Sequence, residues 1–231
     1  ALDDPAAAHV PEGIELPERI GCPITVAHLM THTAGFEDRI HGMFASDAES
    51  ALKPKDYLRR YGLPRQVEQP GVTTSYCNDC AVIAATVVER HTGRAFAEHA
   101  QAGIFGPLGM SSTSFEDGTA AFPPLGAATT YGHISGELVP TPVAATNQVG
   151  AGGLWSTASD MGRFMRALLN GGSLDGARIL TPETVQRVFS GQFRIHPALP
   201  GVSYGRFEAE RNGRRVSYHS REIPGSSPLT A

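Results

Sequence analysis

Pro70-Gly71-Val72-Thr73-Thr74-Ser75-Tyr76-Cys77-Asn78 is the stretch on which the reading of this chain turns. It is a polar, glycine-led loop that ends where an apolar run begins. Asn78 opens a helix, Asp79 sits in its first turn, Ala81 to Val88 fill it, and Gly93 closes it after His91-Thr92. The run is apolar nearly all round, so the helix is expected to be buried. A tyrosine at the mouth of a buried helix, beside an amide side chain, has the groups to exchange a proton and orient a polar substrate. A tyrosine that merely packs fits the same pattern, and these nine residues by themselves favour that plainer reading.

Outward from this loop, Thr25-Val26-Ala27-His28-Leu29-Met30-Thr31-His32 reads as a short helix capped by Thr25, with Gly35 after its exit. Residues 54–61 form another, with Pro54 in the first turn and Gly62 as stop. A helix over about 95–103 follows the central one. Thr157-Ala158-Ser159-Asp160 is a capping pattern before a helix with Met161, Phe164, Met165 and Leu168 on one face, and Thr181-Pro182-Glu183 starts the last. Residues 1–24 read as a loop crossing the surface, and 111–153 as irregular. The chain then changes character: Val202 to Glu210 and Arg214 to Ser220 are extended and joined by Asn212-Gly213, a strong hairpin signal. A third strand is expected near Ser227. Helices in the middle and antiparallel strands at the end predict an α+β architecture rather than repeating βαβ units.

Composition narrows the function classes. The chain has 231 residues, a net charge of −4 and 41% hydrophobic residues. That balance argues against a nucleic-acid or anionic-membrane partner, and no apolar run is long enough to span a bilayer. Three cysteines make no disulfide framework. Cys77-Asn78-Asp79-Cys80 has redox or half-zinc spacing, but lacks further ligands at ordered spacing and a βαβ context. Two small residues packed at a helix start are the preferred reading. His28 and His32 share a helix face, but Leu29 stands where a metalloprotease needs Glu, so both are read as histidines bonded to backbone.

Four blocks taken together carry a resemblance. They are Pro23 to Phe36 with its His-Leu-Met-Thr-His-Thr-Ala-Gly core, Pro70-Gly71 through Tyr76-Cys77-Asn78, Ile104 to Phe115 with Pro107-Leu108-Gly109-Met110, and Gly152-Gly153-Leu154-Trp155-Ser156-Thr157 through Phe164. In this order the chain resembles the β-lactamase-related serine hydrolases: class C β-lactamases, DD-peptidases and the esterases of the same penicillin-recognising fold. The resemblance implies a β-lactamase/transpeptidase-like α+β fold and acyl transfer through a serine ester. It also implies a small-molecule or peptide substrate, no cofactor and no metal, and a periplasmic or extracellular setting.

Residue by residue, the resemblance makes Tyr76 the proton carrier at the serine oxygen and Asn78 the group that bonds the substrate's carbonyl side. Asn78 is also the expected cap of its helix. The strand Val216-Ser217-Tyr218-His219-Ser220 matches the family's third motif, led by lysine in β-lactamases and often by histidine in esterase-like branches. His219 then becomes the catalytic cationic or hydrogen-bonding residue, with Ser220 and Arg221 at the substrate. Arg221 stands where the family has Gly, a departure that also suits a degenerate, non-catalytic binding or scaffold protein.

The family's serine belongs to Ser-x-x-Lys, well before the histidine-rich block. None of the first 45 residues is Ser, and the only lysines are Lys53 and Lys55. The one literal match, Ser50 to Lys53, stands after that block and runs into Pro54. The chain is therefore expected to be one incomplete domain over 1–231, truncated at both ends and inactive alone. Residues 1–200 would form a mostly helical and loop-rich lobe, and 201–231 the antiparallel strands.

Overall fold

The structure, a computed structural model, describes residues 1–17, 20–39, 41–45, 50–116, 123–220 and 229–230. Six α-helices run through the described residues: α1 (Val26–Met30), α2 (Pro54–Tyr61), α3 (Asn78–Thr92), α4 (Phe96–Ala100), α5 (Ala158–Leu169) and α6 (Pro182–Phe189). Their ends obey the local signals. Thr25 closes a capping box with His28, Thr157 and Thr181 accept from the backbone N–H three residues on, and Gly93 ends α3 in the left-handed conformation. The helix expected over 95–103 begins as α4 and continues as a π-helical turn, Gln101–Phe105.

Among the described residues the strands are β1 (Ser114–Phe115), β2 (Thr130–Ile134), β3 (Glu137–Thr141), β4 (Leu154–Trp155), β5 (Ser173–Leu174), β6 (Ala177–Arg178), β7 (Val202–Ser203), β8 (Arg206–Arg211), β9 (Arg214–Ser220) and β10 (Leu229–Thr230). The largest described sheet is antiparallel, in the order β10-β9-β8-β7. Its centre is the expected hairpin: Arg211 pairs with Arg214, and Asn212 and Gly213 both take positive φ, as a two-residue primed turn requires. The extended run expected over 202–210 is broken by a turn at Gly205 (φ 67°), which separates β7 from β8.

Three expectations are corrected by the structure. Residues 111–153 are not irregular throughout: β2 and β3 form a five-residue-paired hairpin turned by Ser135 and Gly136, and β1 pairs with β4. Residues 1–24 are not only a surface crossing. They put Ala6, Val10, Ile14 and Leu16 into the main core, the Val, Ile and Leu side chains each worth roughly 2 kcal/mol of burial. That core surrounds α3, whose Cys80, Val82 and Ile83 are fully buried. A second core lies between the π-helical turn and α5, around Phe105, Leu108 and Ala167. The helix α3 is amphipathic rather than buried all round, with Arg90 and His91 exposed.

Candidate active site

The loop carrying Tyr76 is held by the histidine-rich block. Past α1 the chain runs alongside it. Gly35 O accepts from Val67 and Glu68 N–H at 2.8 and 3.1 Å, Thr33 O from Gly71 N–H at 2.8 Å, and His32 O from Ser75 N–H at 2.9 Å. Gly35 lies at φ 76°, and a Cβ there would drive into the Glu68 carbonyl, so glycine is required twice over. Both histidines of the block bond to backbone, as expected: His28 Nδ1 accepts from Thr25 N–H, and His32 Nδ1 from Cys77 N–H at 3.2 Å.

Tyr76 emerges from this ladder with 38% of its surface exposed. Asn78 follows as the first residue of α3. It is not the helix cap: Cys77 is, accepting from Cys80 N–H through its sulfur. The competition between capping and substrate binding expected of Asn78 is thereby removed. Cys77 and Cys80 are joined as a disulfide, which corrects the reading of them as two separate packed residues. Beneath, Asp79 is 1% exposed and takes a two-pronged ion pair from Arg39, both contacts at 2.9 Å. Arg39 also donates to the carbonyls of Tyr61 and Gly62. Position 79 is thus buried anchor, and position 78 is left for the surface.

His219, near the end of β9, comes to the same place from the sheet. The ring centroids of Tyr76 and His219 are 6.1 Å apart and tilted by 50°. His219 Nδ1 lies 2.9 Å from Gly205 O, so Nδ1 carries the proton and Nε2 is left to face elsewhere. Gly205 in turn donates its N–H to Met30 O, which ties the sheet to the end of α1. Ser220 is exposed beyond His219 and pairs with Leu229. Arg221 lies outside the described residues.

Two rings complete the cluster that sequence reasoning did not assign to the site. Phe207 of β8 lies parallel to His32 at 5.9 Å, 5.9 Å from His219 and 6.4 Å from Tyr76; His32 lies 4.8 Å from Tyr76. The available signal for Phe207 was register: it pairs with Tyr218, the neighbour of His219. Burial, and then the charge of His219, push the His32 imidazole down to about 4.

Elsewhere, Ser50 and Lys53 are both exposed, with Lys53 the residue before Pro54 of α2. A cavity of about 750 Å³ lined by Val10, Glu12, Lys55 and Glu89 belongs to the far end of α3, some eleven residues or roughly 16 Å along the axis from Asn78. Among the described residues no group of three or more His, Cys, Asp or Glu is placed to hold a metal ion, and no helix is long and apolar enough to cross a membrane.

Helices packed with small antiparallel sheets give a mixed α+β architecture of the β-lactamase/transpeptidase-like kind. The Beta-lactamase family model matches residues 1–222, and the chain belongs to that family. It is 31% identical over 180 residues to Protein Rv1367c of Mycobacterium tuberculosis, covering 71% of this chain and 43% of that protein. It is 26% identical over 171 residues to the D-alanyl-D-alanine-carboxypeptidase/endopeptidase AmpH of Escherichia coli, covering 73% and 42%. In fold it is similar to a D-stereospecific amidohydrolase from Streptomyces, with a TM-score of 0.79 at 24% identity over 99% of this chain and 70% of that one. The chain thus spans somewhat less than half the length of these two curated relatives.

Proposed function

We propose that this chain forms part of the active site of a serine hydrolase that cleaves an ester or amide through an acyl-serine intermediate. The carrying observation is the Tyr76–His219 pair, 6.1 Å apart between ring centroids and contributed by two different parts of the fold. In this reading Tyr76 relays the serine proton, Asn78 and Ser220 bond the substrate, and His219 sets its imidazole beside the phenol. A free phenol ionises near pH 10 and accepts a proton near neutrality only with positive charge close by. The attacking serine and its lysine are proposed to lie outside residues 1–231. The sole Ser-x-x-Lys in the chain, Ser50 to Lys53, is exposed and runs into a proline-started helix of eight residues. The similarity to AmpH supports a peptide or amide substrate, and a histidine rather than a lysine on β9 favours peptidase or esterase chemistry over β-lactam hydrolysis.

The test is hydrolysis of a p-nitrophenyl ester by the complete gene product. The expected result is a burst of nitrophenol stoichiometric with protein, followed by slower turnover, as an acyl-enzyme gives. Tyr76→Phe should lower the burst rate by about 100-fold, within the span of general acid–base effects. No turnover of esters, amides or penicillins, together with retained binding of a cell-wall peptide, would replace this reading with the non-catalytic binder that Arg221 suits.

A further inference from the structure

We propose that His32 is the residue that positions the Tyr76 phenol, acting on it through three separate attachments. The inference rests on the reading of Tyr76 as the proton carrier and adds a residue to that machinery. The carbonyl of His32 accepts from Ser75 N–H at 2.9 Å, and its Nδ1 accepts from Cys77 N–H at 3.2 Å. The residues on both sides of Tyr76 therefore hang from one amino acid. Between them the Tyr76 ring lies against the imidazole, centroid to centroid 4.8 Å. Phe207 stacks flat on the same imidazole, with 4° between the planes, so His32 is gripped from the sheet side as well.

The backbone at His32 points the same way. It is a non-glycine residue at φ 56° and 7% exposed, a conformation that persists only where surrounding contacts over-determine it. This left-handed turn out of α1 accompanies a carbonyl that reaches Ser75 and a side chain that reaches Cys77. The acceptor role demands an imidazole unprotonated at Nδ1, and burial next to His219 keeps it so. A neutral ring here orients the phenol through contact rather than charge. His32 touches neither substrate nor serine in this scheme; it acts through Tyr76 and Cys77.

Two variants of the complete protein test it. His32→Asn keeps an acceptor and tolerates positive φ but removes the ring under Tyr76. His32→Phe keeps a ring and removes the acceptor. The readouts are kcat and KM for a p-nitrophenyl ester and the nuclear Overhauser contact between the Tyr76 and His219 rings. For His32→Asn the expected result is a kcat lowered about tenfold, a KM within about twofold, and a weakened ring contact, since displacement of a catalytic group by an ångström costs up to about 100-fold. His32→Phe should lose more kcat than His32→Asn. If it does not fold, His32→Asn decides alone. A folded His32→Asn protein with wild-type kcat and an intact ring contact would overturn the inference. Should Tyr76→Phe itself leave kcat unchanged, the functional reading fails instead; an effect of Tyr76→Phe with none from His32→Asn sinks the role of His32 only.

Discussion

His32 is the residue at which burial, charge and backbone geometry meet, and its titration has a readable sign. The folded imidazole is pushed down to about 4, against an ordinary value of 6.5. As pH falls, the unfolded chain takes up the proton first. The stability contributed by neutral His32 is complete above pH 6.5 and is lost as pH falls from 6.5 through about 4, a loss of about 3 kcal/mol. Urea unfolding from pH 7 to 4 should show that decline, and His32→Asn should flatten it whatever its effect at pH 7. A histidine NMR titration should find the His32 ring neutral until about pH 4; a midpoint near 6.5 would contradict the burial argument. None of this was visible in the sequence. His28 and His32 were legible as backbone-bonded because the helix between them is too short and lacks a glutamate for metal chemistry. Which backbone group His32 would meet depends on a partner 45 residues away, beyond any local pattern.

At the scale of elements, two devices place the Tyr76 loop. One is the ladder from the histidine-rich block, which passes through Gly35. Gly35→Ala should destabilise the protein by more than about 2 kcal/mol, since the added methyl meets backbone rather than a movable side chain; thermal unfolding checks it. The other is the Arg39–Asp79 pair, which anchors the first turn of α3. Asp79→Ala leaves a guanidinium facing a buried gap and should cost about 3 kcal/mol in chemical denaturation. Helix existence and ends were legible wherever a cap and a stop spoke together, as at Thr25, Pro54, Gly93, Thr157 and Thr181. The hairpin of β2 and β3 was missed because its Ser135-Gly136 turn is a weaker signal than Asn212-Gly213, and its strands are mostly exposed and lack clean alternation. The cap of α3 was misassigned because Asn is the commoner capping residue, whereas here the sulfur of Cys77 takes the role.

At the scale of the molecule, the site lies where the helical lobe meets the sheet, and the Gly205 turn is the link. Its N–H goes to Met30 at the end of α1, and its carbonyl receives His219. Tyr76 and His219 stand 143 positions apart in the chain, so their meeting was an expectation from family resemblance alone, and the structure brings the two rings together. The N-terminal residues look like surface loop because their apolar residues are spaced irregularly by prolines and glycines and carry no helical or strand period, yet Ala6, Val10, Ile14 and Leu16 are core. The most direct test of a serine hydrolase site built around Tyr76 and His219 is fluorophosphonate labelling of the complete gene product, with the adduct located by peptide mass spectrometry. The expected result is one adduct per molecule on a serine outside residues 1–231, formed about 100-fold more slowly in Tyr76→Phe. An adduct on Ser50, or labelling indifferent to Tyr76→Phe, would contradict it.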